Sequence, residues 1–152
     1  MLLRGKVMRM PVWISALLLL CASSPLLAQD RPTTPGTVSV VTSIRVLDGQ
    51  GDAWTNYLAT EWKSVMEAQK KAGNVVDYAV YWTRARTPDD PNMYMVTTVA
   101  NMAAFDGMND RMEKVSMEVT GRDRAANTAA GLERDKMRKV LGSELIRKVD
   151  FK

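Results

Sequence analysis

From Val38 to Leu47 apolar and polar positions alternate, with Val38, Val40, Ile44 and Val46 set against Ser39, Ser43 and Arg45. A period of two predicts a β-strand with one buried face. Asp48-Gly49 turns the chain, and the period then lengthens. Trp54, Leu58, Trp62 and Val65 recur at helical spacing behind a capping Asp52, and Gly73 stops the helix because it takes left-handed dihedrals without cost. Val75 to Arg84 reads as a second strand, apolar on both faces: Val76, Tyr78, Val80 and Trp82 on one, Val75, Ala79 and Tyr81 on the other. Thr87-Pro88-Asp89-Asp90-Pro91 is turn chemistry, and Met93 to Ala100 forms a third strand. Asn101 caps a short helix through Phe105, and a helical stripe follows at Met108, Met112, Val115 and Val119. After a break at Thr120-Gly121, a longer helix from Asp123 is predicted to bury Ala125, Ala129, Leu132, Met137, Val140 and Leu141 and to end at Gly142. Gly131 inside it costs about 1 kcal/mol relative to alanine. Leu145, Arg147, Val149 and Phe151 alternate to the end as a fourth strand.

Ahead of this pattern lies a different one. Arg4, Lys6 and Arg9 precede an apolar run from Val12 to Leu20, too short to span a bilayer, and Ala28 stands before the polar Gln29-Asp30. Residues 1–28 are therefore expected to be a cleaved export signal, placing the mature chain in the periplasm or outside the cell. Residues 29–36, with Pro32 and Pro35, read as a flexible lead-in, and residues 37–152 as a single domain.

Loss of the signal takes three of the 21 basic residues and none of the 17 acidic ones, leaving a net charge of +1 in place of +4. A domain so nearly neutral has no electrostatic footprint for nucleic acid or an anionic membrane, and no membrane span is expected in it. The one cysteine, Cys21, leaves with the signal, and the chain has no histidine. Serine–histidine and cysteine–histidine nucleophile activation, histidine-ligated zinc or haem and thiolate metal sites are excluded for the mature domain.

Strand, helix, strand, strand, helical segment, strand is the split βαβ order of a ferredoxin-like α+β domain, a four-stranded antiparallel sheet with helices on one face. Over Thr37 to Lys152 the chain resembles the dimeric α+β barrels, which include antibiotic-biosynthesis-monooxygenase-like and NIPSNAP-like domains. The resemblance is carried by that order, by Glu61-Trp62-Lys63 in the first helix, by the strand from Tyr78 to Trp82 and by Glu144-Leu145-Ile146-Arg147 in the last strand. It implies a homodimer built sheet to sheet. Haem-degrading members use an Asn, a Trp and a His; Asn56 with Trp54 or Trp62 supplies the first two, but the His is missing. Members acting on phenolic or quinol substrates need no cofactor and only a base, for which Glu61 and Asp77 are the candidates.

Trp54, Tyr57, Leu58, Trp62, Tyr78 and Trp82 are placed to line a pocket for a small apolar or aromatic ligand between the first helix and the sheet. Filling of the helix-to-sheet core accounts for the same residues. The leading functional expectation is thus a small exported binding domain without a cofactor, and the alternative a cofactor-free monooxygenase or isomerase. Met93 and Met95 put two thioethers on one strand face, a pattern open to Cu(I) or to ordinary core filling. Arg84 and Arg86 flank the exit of the second strand and fit a carboxylate clamp, while Arg134 to Lys139 gives a basic helix end of the kind the helix dipole favours; solvated faces account for both. The doubly apolar second strand predicts a sheet face covered by a second copy of the chain, or by the long segment from Asn101 to Gly142.

Overall fold

The structure, a computed structural model, describes residues 31–152. The expected signal, its Ala28 boundary and Cys21 lie outside the described residues. Strand β1 (Thr33–Val46) runs into α1 (Gly51–Tyr57), which passes through one π-helical turn (Leu58–Trp62) directly into α2 (Lys63–Lys71). Strands β2 (Asp77–Trp82) and β3 (Met93–Val99) follow, then a single 3-10 turn (Met102–Phe105), α3 (Met108–Thr120), α4 (Arg124–Asp135) and β4 (Arg138–Phe151). The strands form one sheet in the order β2-β3-β1-β4, and every neighbouring pair is antiparallel. This is the expected ferredoxin-like arrangement, with β1 and β3 at the centre.

The second strand, expected over Val75 to Arg84, is confined to Asp77–Trp82, and three further boundaries differ from the sequence reading. β1 starts at Thr33 rather than Thr37, because Thr33, Thr34 and Pro35 pair with Phe151, Asp150 and Val149 of β4. Proline is tolerated there because β3 reaches only as far as Val38, leaving that side of Pro35 without a neighbouring strand. At the register shift that follows, a Cβ on Gly36 would stand 2.7 Å from a carboxylate oxygen of Asp150 and 3.0 Å from the Cβ of Lys148. Any larger residue would have to displace the Asp150 side chain and crowd the Lys148 backbone. The second difference is larger: the last helix ends at Asp135, and Val140, Leu141 and Gly142 belong to β4. Pairing of Arg138, Lys139 and Val140 with Val46, Arg45 and Ile44 overrides their helical spacing, and a register shift leaves Leu141 as the extra residue of a bulge. Third, α1 begins at Gly51 behind Gln50, and Asp52 sits in its first turn rather than capping it.

Alternation along the strands assigns the two sheet faces. Val38, Ile44 and Val46 of β1 and Met93 and Val99 of β3 are buried beneath the helices. Trp54 and Leu58 come down onto Ile44, Val46 and Met93, with Tyr57, Trp62, Val80, Met95 and Met137 packed around them. The helix α3 lies against α2. Gln69, fully buried, locks the two together: its amide donates to the Met112 carbonyl at 2.8 Å and to Ser116 Oγ at 3.3 Å, and its oxygen accepts from Asn74 Nδ2 at 2.8 Å. Arg111 Nε donates in turn to Asn74 Oδ1, and its Nη2 to the Ala104 carbonyl. The α4 stripe is not buried as expected; Leu132 is 63% exposed, and the inward contributions come from Arg134 and Met137.

The opposite sheet face carries Val41, Ala79, Tyr81, Tyr94, Val96 and Ile146, with Tyr81 58% and Ile146 49% exposed. α4 stands on the same side as α1, since the two share the walls of one cavity. The segment from Asn101 onward therefore does not fold over the second face. No helix among the described residues is long and apolar enough to cross a membrane.

Candidate functional site

Trp62 closes the π-helical turn. Across it the Lys63 amide reaches back to the Leu58 carbonyl, one residue further than in an α-helix, and Thr60 Oγ1 donates to the Asn56 carbonyl at 2.7 Å. The widened turn splays five consecutive residues. Leu58 and Ala59 lean toward β2, Glu61 leans toward α4, and Trp62 stands between.

The expected single pocket is therefore split in two by Trp62. On one side Trp54, Tyr57 and Trp62 form the roof of a cavity of about 260 Å³ whose floor is Thr42 and Ile44 of β1 with Met95 and Thr97 of β3. Arg134, Arg138 and Val140 close its far wall. Trp54 and Tyr57 stack with ring centroids 5.1 Å apart at 28°. Arg138 sits 5.2 Å over the Trp54 ring and Arg134 5.5 Å over that of Tyr57, both within cation–π range. On the other side Leu58, Trp62, Tyr78 and Trp82 line a groove of about 330 Å³ over β2. It is a surface feature, with Trp82 56% exposed and Tyr78 set edge-on to Trp62 at 5.1 Å.

Each candidate base proves to be engaged. Glu61 borders a neighbouring cavity of about 210 Å³ between the first helix and the α3–α4 loop, where both its oxygens accept from the Arg122 guanidinium. That bidentate pair holds its carboxyl below the ordinary value of 4.5, making it a weaker base. Asp77 lines none of these cavities. It is exposed, bonded at 3.2 Å to Lys70 Nζ, and that bond holds its carboxyl below the ordinary range. Burial, partly opposed by Arg134, pushes the Tyr57 phenol up, so it stays protonated as a donor. Tyr78 is pushed up to about 12 because its hydroxyl donates to the Glu67 carboxylate.

The two thioethers share a face as expected but not a role. Met93 is fully buried and its Sδ accepts from Trp54 Nε1 at 3.2 Å, whereas Met95 forms part of the cavity floor. They do not present a pair of free sulfurs. Sequence reasoning missed Thr42 and Thr97, because strand alternation marks them only as polar interruptions. It also missed Arg122, whose loop position gives no periodic signal. Arg134 and Arg138 were visible as part of a basic stretch, but spacing alone could not show that the chain changes from helix to strand between them.

No protein-family model and no curated protein matches the chain. Among solved structures it is similar to HapK from Hahella chejuensis, at 18% identity over 73% of this chain and 91% of that one, with a TM-score of 0.48. It is also similar to protein SO0527 from Shewanella oneidensis, at 16% identity over 78% and 98%, with a TM-score of 0.49. A dimeric ferredoxin-like protein from an uncultured marine organism matches at 12% identity over 76% and 95%, with a TM-score of 0.46. By its own strand order and antiparallel pairing, the chain is a ferredoxin-like α+β protein.

Proposed function

We propose that this protein binds a small aromatic molecule in the cavity between the first helix and the sheet. The observation that carries the reading is the cavity itself: a roof of Trp54, Tyr57 and Trp62, a floor of Ile44 and Met95, and polar handles at Thr42 and Thr97. Its volume, about 260 Å³, lies just below the ~300 Å³ at which sites for drug-sized ligands begin, and suits one ring or a fused pair. Binding rather than turnover is the reading supported, because none of the lining residues is a carboxylate and Glu61 in the adjoining cavity is held by Arg122. Indole is a suitable neutral probe, followed by calorimetry. It should bind the purified protein, bind at least about tenfold more weakly to Trp62→Ala, and fail to bind Thr97→Phe, whose ring fills the floor. Trp82→Ala, on the other groove, should bind as the parent does. Equal binding by the parent and Thr97→Phe would place the ligand elsewhere and refute the reading.

We infer further that two copies pack through the uncovered sheet face, where Val41, Tyr94, Val96, Tyr81 and Ile146 form an apolar surface edged by Arg45, Glu144 and Lys148. A two-fold contact covers this surface with itself and pairs opposite charges at its rim. The export signal expected at residues 1–28 would deliver such a dimer outside the cytoplasm.

A further inference from the structure

The aromatic cavity holds more cationic charge than its surroundings neutralise. Arg138 is 15% exposed at its side chain, and its Nη1 is buried with no hydrogen-bond partner among the described residues. Asp135 Oδ1 lies 3.2 Å from that nitrogen but outside hydrogen-bonding alignment, and its own side chain is 61% exposed. The ion pair with Asp135 offsets one of the two positive charges on this wall. Arg134, on the same wall, makes no ion pair among the described residues; it rests on the Tyr57 ring. The nearest carboxylate in the adjoining cavity, Glu61, is already matched by Arg122. Two guanidinium groups thus face a cavity without a lining carboxylate.

Resting on the proposed aromatic binding, we propose that the ligand is an aromatic carboxylate, its ring between Trp62 and Met95 and its carboxylate accepting from Arg138 and Arg134. A carboxylate is planar and accepts from a guanidinium in two parallel bonds, and a half-enclosed site strengthens those bonds relative to water. The same charge also selects: a neutral ring satisfies the roof and floor but leaves the cationic far wall without a carboxylate.

Indole-3-carboxylate and its neutral isostere indole-3-carboxamide separate the charge from the ring. In calorimetric titration of the purified protein, the carboxylate should bind at least about tenfold more tightly than the carboxamide, and its affinity alone should fall as salt is raised. In Arg138→Gln and in Arg134→Gln the carboxylate's advantage over the carboxamide should shrink severalfold. Arg138→Lys, which retains charge but not the planar fork, should keep only part of the advantage. Circular dichroism melts identify any variant that fails to fold, and the parent's two-ligand comparison does not depend on the variants. Equal affinity for both ligands would overturn the carboxylate inference and leave aromatic binding standing. Binding of neither ligand, nor of indole, would overturn both.

Discussion

Replacing Gln69 by leucine should remove about 1–3 kcal/mol of stability without opening a cavity. Leucine nearly matches glutamine in volume, so the loss comes from polar groups. Asn74 Nδ2, which donates to Gln69 Oε1 at 2.8 Å, would be left in the interior without an acceptor, and an orphaned buried donor costs roughly 1–3 kcal/mol. The Met112 carbonyl loses its second donor but keeps its place in the α3 ladder. Gln69→Ala should cost about 2–5 kcal/mol more, the range for a buried leucine cut back by three carbons with a cavity left behind. Urea unfolding followed by tryptophan fluorescence reads both. With a slope of about 1.5 kcal/mol per molar urea, a 3 kcal/mol loss lowers the midpoint by about 2 M. The pairing with Asn74 is tested by a double-mutant cycle. Removing the orphan with Asn74→Ala in the leucine background should recover about 1 kcal/mol relative to the sum of the single changes. Gln69→Leu within about 0.5 kcal/mol of the parent would show that water satisfies Asn74 and that the relay does not fasten α3 to α2.

Further expectations follow from the same contacts. Because Arg122 holds the Glu61 carboxyl below 4.5, the pair contributes stability above the unfolded value and loses it as pH falls through the folded one. Acid unfolding of Glu61→Gln should therefore show a shallower fall below about pH 4.5 than the parent does; an unchanged slope refutes the pairing. In an alkaline absorbance titration the last tyrosine to ionise should disappear in Tyr78→Phe, given its rise to about 12, and persistence of that phase would reassign it. Light scattering at low micromolar concentration should give a mass near two chains for the parent and one for Val96→Arg, whereas a monomeric parent refutes the sheet-to-sheet contact. Gly121, with φ +66 at the C-terminus of α3 and open space around it, should lose about 1 kcal/mol on change to alanine, measured by thermal melting.

The legible parts of this fold were those fixed by a single local period. Val38 to Val46 follows a period of two and stands as a strand where that period put it, and Met93 to Val99 stands as the strand expected after the Thr87–Pro91 turn. Gly36 and Pro35 read as breakers, yet they lie inside β1, because the length of β4 and not local propensity sets where pairing ends. Val140 and Leu141 fitted a helical stripe equally well, and only pairing across to Ile44 decides for a strand. The site was half legible. Trp54, Tyr57 and Trp62 line the cavity of the proposed site, whereas Leu58, Tyr78 and Trp82 line the groove on the other side of Trp62, a division that helical and strand spacing do not show. Thr42, Thr97 and Arg138 enter through the floor and far wall, brought together by long-range register that no short window contains.

That π turn also bears on how the cavity could be gained or lost over generations. A helix with a widened turn carries one residue more than its length requires, so a one-codon deletion is the change it accommodates most readily. Deleting Thr60 should let Gly51 to Lys71 continue as one α-helix, with helical circular dichroism and the melting temperature little altered, while Trp62 rotates away from Thr97 and indole binding is lost. A large drop in melting temperature would show instead that the widened turn is needed for folding. The pocket and the scaffold are thereby separable in heredity: the smallest possible shortening of the gene removes the first and spares the second.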